Sequence, residues 1–212
     1  MDGLCADVRL HLTLLPRVTR AVGERFQFFS AFLRNPTHVG SLLPSSSALA
    51  REMVRTCDLR NAKTVVELGA GTGPFTREIL RQIGPDTLFI AIELDEHSVG
   101  ALRREFPDAI IHHESAANLQ ECLARHGRQR ADYVLSGLPW GSLPAGVADS
   151  ILNAVFASLE PGGTFVTFGY VHSQMLPGIR RFRNRVVRHF ASVSTSPVVW
   201  NNVPPAVVVR CK

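Results

Sequence analysis

The chain has 212 residues, 45% of them hydrophobic, and a formal net charge of +5. That length suits one domain with a substantial core, and a second full domain is not expected. No apolar run approaches the ~20 residues that cross a bilayer, and the N-terminus lacks an apolar core followed by a small-residue site, so neither a spanning helix nor a cleavable leader is expected.

The first 60 residues read as a helical preface. Val18, Val22, Phe26, Phe29 and Leu33 share one helical face, Phe28 and Phe32 widen it, and Arg17, Arg20, Gln27 and Arg34 lie opposite. Asn35-Pro36 stops that helix. A serine of Ser45-Ser46-Ser47 then caps a helix from about Ala48 to Thr56.

After residue 60, strands and helices alternate. Strands are predicted at 64–69, 87–93, 108–113, 131–136 and 163–169, with helices at 74–83, 96–106, 116–126 and 146–159. Such alternation argues for an α/β fold with a doubly wound, mostly parallel sheet. Pro161-Gly162-Gly163 ends the fourth helix and turns into the fifth strand. A basic helix over about 178–189 follows. Two β-rich runs, Ala191 to Trp200 and Ala206 to Cys211, then flank Asn201-Asn202-Val203-Pro204-Pro205 and are expected to pair antiparallel.

Within the first unit, Val65-Val66-Glu67-Leu68-Gly69-Ala70-Gly71-Thr72-Gly73 is a β-branched run ending in an acidic residue and three alternating glycines. Strand, tight glycine turn and helix start bring backbone amides close to a nucleotide-like ligand, and a Cβ would block both turn and ligand. Twenty residues past Gly73, the second strand ends in Glu93-Leu94-Asp95. A carboxylate at that strand tip is placed to accept hydrogen bonds from ribose hydroxyls. A structural turn with a solvated Glu93 is the alternative.

The remaining loops at the carboxyl ends of strands are the other expected contacts, because open parallel sheets bind ligands there. They are His113-Glu114-Ser115-Ala116 after the third strand and Ser136-Gly137-Leu138-Pro139-Trp140 after the fourth. Cys5, Cys57, Cys122 and Cys211 are scattered with no C-x-x-C pair, which favours buried thiols in a reducing compartment, and no metal site is expected. The positive charge is almost all arginine, since Lys63 and Lys212 are the only lysines, and calls for a polyanionic partner, nucleic acid or an anionic membrane surface. Arg180, Arg181, Arg183, Arg185 and Arg188 form its densest cluster.

The Glu-x-Gly-x-Gly-x-Gly spacing and Glu93 resemble the first two motifs of class I S-adenosylmethionine-dependent methyltransferases, whose Rossmann-like seven-stranded sheet closes in an antiparallel hairpin. Phe32-Leu33-Arg34-Asn35-Pro36, Val39-Gly40-Ser41, Pro44-Ser45-Ser46, Ser136-Gly137-Leu138-Pro139, Tyr170-Val171-His172-Ser173, Leu176-Pro177 and Trp200-Asn201-Asn202-Val203-Pro204-Pro205-Ala206 more closely resemble bacterial phospholipid N-methyltransferases, from about residue 26 onward. This resemblance implies methylation of phosphatidylethanolamine towards phosphatidylcholine, with S-adenosylmethionine as cofactor. It implies cofactor contacts from Glu67, Gly69, Ala70, Gly71, Gly73, Glu93, Leu94, Ser115, Ala116 and Ser136. Gly137, Leu138, Pro139, Trp140 and Tyr170 would line the acceptor, with Tyr170 and His172 as candidate catalytic groups.

Ser115 stands where Asp is more usual for the adenine contact, with Glu114 one place earlier. Gly137 stands where enzymes acting on adenine carry Asn or Asp, which argues against a nucleic-acid partner. A phospholipid substrate implies peripheral docking on the inner face of the cell membrane from the cytoplasm. Phe28, Phe29 and Phe32 would meet the bilayer together with Arg180, Arg181, Arg183 and Arg185. The chain then divides into an extension, 1–60, that contacts membrane or acts as a lid, and a methyltransferase domain, 61–212. An rRNA adenine dimethyltransferase and a non-catalytic cofactor-binding module are the rival readings. The former usually appends a helical RNA-gripping domain, for which no residues follow the last predicted strand.

Overall fold

A computed structural model describes residues 45–212. The amphipathic segment 18–34, with Phe28, Phe29 and Phe32, lies outside the described residues. The chain divides into two compact units, and every described residue belongs to the second, Leu43–Lys212.

Its sheet has seven strands: β1 Thr64–Leu68, β2 Leu88–Glu93, β3 Ile110–His113, β4 Ala131–Ser136, β5 Leu159–Tyr170, β6 Val193–Thr195 and β7 Ala206–Cys211. Their order is β3-β2-β1-β4-β5-β7-β6, parallel except for β7, which runs antiparallel to both β5 and β6. All five residues of β1 are buried, as a central strand covered on both faces requires. Six helices flank the sheet: α1 Ser47–Val54, α2 Pro74–Leu80, α3 Glu96–Glu105, α4 Leu119–Arg125, α5 Ala145–Ser158 and α6 Pro177–His189. This is the doubly wound α/β architecture with a closing hairpin that the alternation predicts.

Burial explains the element choices. Leu49, Met53 and Val54 of α1 join Phe75 and Ile79 of α2, Val99 and Leu102 of α3, and Val65, Phe89, Leu135, Val166 and Val208 of the sheet in one core cluster. On the other side Phe165 packs against Phe182 and Phe190, with ring centroids 6.4 and 6.3 Å apart. Helix α1 starts where a serine was expected to cap it: the Ser46 hydroxyl accepts from the Leu49 N–H at 3.2 Å.

Two strand expectations need correction. The run Ala191–Trp200 forms a strand only over Val193–Thr195, with an isolated bridge from Val199 to Ala206. Pro197 brings no N–H to the ladder, and the Ser196 hydroxyl instead accepts from the Val208 N–H at 3.0 Å. The fifth strand begins at Leu159, ahead of Pro161-Gly162-Gly163. Leu159 pairs with Ala131 and the register then jumps so that Thr164 meets Tyr133, the intervening residues looping out around Gly162 at φ +78.

Candidate functional site

The carboxyl ends of β1, β2, β3, β4 and β5 share one edge of the sheet, because these strands are parallel. The glycine turn leaves β1 there. Gly69, Gly71 and Gly73 all have positive φ, at 73, 55 and 85°, a region costly for any residue with a Cβ. A Cβ on Gly71 would meet nothing within 4 Å, so the turn faces open space at that point. Helix α2 begins directly after it, with Gly73 as N-cap and Pro74 at the first position.

Glu93, at the tip of β2, is 5% exposed and binds three backbone amides. Its Oε2 accepts from Gly71 N–H at 2.8 Å, and its Oε1 accepts from Leu94 and Asp95 N–H at 2.7 and 2.8 Å. A carboxylate offers about four lone-pair sites, so roughly one is left for a ligand hydroxyl. The expected ribose anchor is therefore also the tie that holds the glycine turn to the neighbouring strand.

Glu67 is fully buried in β1. One oxygen accepts from Thr76 Oγ1 at 2.7 Å, while the other, Oε1, has no partner. Burial, and secondarily the nearby Glu93 carboxylate, pushes its pKa up to about 8. A turn open at Gly71 and a carboxylate with a spare lone pair at Glu93 fit a cofactor with ribose hydroxyls, and Glu67 adds a buried oxygen without a partner next to them.

The raised pKa carries a stability consequence. An unfolded glutamate ionises near pH 4.3, whereas the folded chain keeps the proton to about pH 8, so stability falls as pH rises between these values. The loss approaches about 4–5 kcal/mol above the window, at about 1.4 kcal/mol per pH unit. Glu67→Gln removes this titration. Denaturant unfolding at pH 5.5 and 8.5 is expected to show the parent losing stability with pH while the variant stays nearly level; parallel curves would refute the buried neutral carboxyl.

At the end of β3, Glu114 ion-pairs with Arg125 and accepts from Asn118 Nδ2 at 3.3 Å, which holds its carboxyl below the usual range. Its side chain is thus committed within the protein. Ser115 caps the following turn by accepting from Ala117 N–H at 3.2 Å, and Ala116 is buried beside it. Both candidate side chains for the adenine contact are thus engaged within the protein, Glu114 with Arg125 and Ser115 with the Ala117 amide.

The loop after β4 interlocks with the glycine turn. Gly137 N–H donates to Leu68 O at 2.8 Å, and Ser136 Oγ accepts from Leu138 N–H at 3.3 Å. A Cβ on Gly137 would lie 2.5 Å from the Gly69 carbonyl oxygen, and one on Gly69 would lie 2.6 Å from Leu138 Cδ2. The position that holds a polar side chain in adenine methyltransferases is here sterically closed to any side chain.

Trp140, expected against the acceptor, is 2% exposed. Its indole N–H donates to Thr167 Oγ1 at 3.0 Å, and its ring stacks on Phe182 at 4.9 Å. Thr167 Oγ1 in turn donates to Ser136 O at 3.0 Å, so Trp140 and Thr167 brace the loop from the core side. Tyr170, at the end of β5, stacks on His172 at 5.7 Å and meets Phe168 edge-on at 5.4 Å. Burial raises its phenol pKa.

Sequence reasoning missed three partners: Thr76 beside Glu67, Thr167 beneath the loop after β4, and Asp149. Asp149 binds Arg181 and Arg185, the latter at 2.8 Å, so two of the clustered arginines are spent inside the protein. No short motif signals such pairs, since the partners sit on different elements. Among the described residues no helix is long and apolar enough to cross a membrane.

No family model matches the chain. An ornithine lipid N-methyltransferase of Singulisphaera acidiphila is 33% identical over 190 residues, covering 88% of this chain and 95% of that protein. A ribosomal RNA small subunit methyltransferase A of Dehalococcoides mccartyi is 28% identical over 100 residues, 47% of this chain and 33% of that one. Among solved structures, an O-methyltransferase from Bacillus cereus in complex with SAH superposes with a TM-score of 0.59 at 15% identity, covering 91% of each chain. That likeness speaks for the fold alone.

Proposed function

This chain belongs to the lipid N-methyltransferases of the class I S-adenosylmethionine-dependent superfamily, and from that premise we propose that it methylates the amino head group of phosphatidylethanolamine. The mono- and dimethyl derivatives are further acceptors on the way to phosphatidylcholine. The observation that carries the reading is the closed position at Gly137, where a Cβ would strike the Gly69 carbonyl. A loop with no room for the Asn or Asp that grips a planar adenine amine suits a slender alkyl amine instead. Ornithine lipid, the acceptor in the name of the relative, also carries such an amine and is the second reading.

Bound S-adenosylmethionine supplies an electrophilic methyl group on sulfur. The residues assigned to it are Glu67, Gly69, Ala70, Gly71, Gly73, Glu93, Leu94, Ser115, Ala116 and Ser136, with Glu93 holding the ribose. Gly137, Leu138 and Pro139 hold the acceptor amine, and catalysis here is mostly orientation. An alkylammonium in water has a pKa near ~10, so the amine must lose a proton before it attacks. His172 is the proton acceptor of the stacked pair. Tyr170 keeps its own proton and offers its ring to the ammonium that grows with each methylation, a contact of ~0.5–2 kcal/mol.

In this reading the methyltransferase domain takes in α1, whose Leu49, Met53 and Val54 lie in its core, and the membrane-contacting extension is the segment ahead of it. The protein works in the cytoplasm on the inner face of the cell membrane. The test is incubation with labelled S-adenosylmethionine and, in separate reactions, phosphatidylethanolamine vesicles, ornithine lipid vesicles and small-subunit rRNA. Label in mono-, di- and trimethylated phosphatidylethanolamine is the expected result. Label confined to ornithine lipid moves the substrate, and label confined to RNA overturns the proposal.

A further inference from the structure

Six large apolar side chains are exposed among the described residues, and five of them lie on two loops. Val171, Met175 and Leu176, at 41, 87 and 38% exposure, occupy the turn after β5; Trp200 and Val203, at 72 and 66%, occupy the connection from β6 to β7. Val171 N–H donates to Pro205 O at 2.9 Å, which laces the two loops together. Ala206 pairs with Tyr170, so this apolar rim stands at the same sheet edge as Tyr170 and His172. Scattered exposed apolar residues are ordinary, but a contiguous group at one edge marks a docking surface.

The charge beside the rim indicates what docks. Helix α6 grows out of the first loop, Arg180 N–H donating to Leu176 O at 3.1 Å. Arg181 and Arg185 turn to Asp149, whereas Arg180 and Arg183 are exposed and make no ion pair among the described residues. Apolar side chains led by an exposed tryptophan, flanked by uncommitted arginines, match the boundary between acyl chains and anionic phosphates.

We propose that this rim is the surface by which the protein enters an anionic bilayer, Trp200, Met175 and Val203 penetrating the head-group boundary while Arg180 and Arg183 meet lipid phosphates. The inference rests on the lipid N-methyltransferase reading and adds to it the orientation of the enzyme. With the catalytic edge against the leaflet, a lipid amine reaches the Gly137 loop without leaving its membrane.

The chain has two tryptophans, and Trp140 is buried, so changes in intrinsic emission on vesicle addition report on Trp200. Vesicles of phosphatidylethanolamine and phosphatidylglycerol are expected to shift that emission to the blue, and lipids brominated high on the acyl chain to quench it. The double variant Trp200→Ser, Met175→Ser is expected to co-sediment with such vesicles at least ten-fold more weakly, while methylating monomeric short-chain phosphatidylethanolamine at the parent rate. Vesicle-bound protein with unshifted, unquenched emission, or undiminished co-sedimentation of the double variant, overturns the inference. So does a change in oligomeric state of the variant with vesicle binding intact, which would assign the rim to a second protein chain. If no lipid amine is methylated yet Trp200 is quenched, the substrate reading fails and the docking surface stands.

Discussion

Glu93→Ala is expected to weaken binding of S-adenosylhomocysteine by at least ~100-fold, equivalent to about 2.7 kcal/mol. The carboxylate accepts three backbone N–H groups at 2.7–2.8 Å, from Gly71, Leu94 and Asp95. Hydrogen bonds to a charged group contribute ~1.5–3 kcal/mol each, and truncation leaves the three donors without their partner. The Gly71 bond matters most for binding, because it is the contact by which the second strand shapes the turn leaving the first. In the proposed binding mode, loss of the carboxylate removes the ribose acceptor and releases the turn together. Glu93→Gln keeps one oxygen and is expected to fall between the alanine variant and the parent. Calorimetric titration checks the series, and unchanged affinity in the alanine variant would move the cofactor away from this edge.

Gly137→Ala is the second large effect, and its cause is steric. The added methyl would sit 2.5 Å from the Gly69 carbonyl oxygen and 3.4 Å from the Phe75 ring. The oxygen belongs to backbone whose Gly69 N–H is itself bonded to Ile92 O at 2.8 Å, so it has little freedom to withdraw. Either the glycine turn or the acceptor loop must therefore shift by roughly 1 Å. Misplacement on that scale costs ~10²-fold in rate when catalysis is mainly orientation. We expect kcat to fall by about that factor, with a stability loss of ~1–3 kcal/mol typical of overpacking. Gly137→Asn is expected to be no better, and to gain no methylation of adenine in RNA. Steady-state rates with lipid acceptor, alongside denaturant unfolding, check both variants; full activity in Gly137→Ala would mean that this loop does not position the amine.

The contrast between these two residues shows where legibility ended. Glu93 could be picked out by its distance from the glycine turn, because strand, turn and strand tip are successive pieces of one βαβ unit. Gly137 was equally visible as an anomaly, yet its reason lay in Gly69 on another loop, which no local pattern connects to it. An aromatic directly after Pro139 suggests that Trp140 lines the acceptor. Whether it faces a ligand or Phe182 depends on where α6 packs, and α6 begins far along the chain.

The alternation of strands and helices, the positive-φ turn and the carboxylate at the second strand tip are all legible in the residues alone. These rest on side-chain branching, glycine and spacing within one segment, all of which act locally. The tertiary structure alone decided which charges remain available and which positions are closed. Glu67 became a neutral buried acid only when the sheet was covered, Arg181 and Arg185 were claimed by Asp149, and Val171 was laced to Pro205. The physical reason is that solvation, ion pairing and steric contact depend on neighbours that folding brings in from distant parts of the chain.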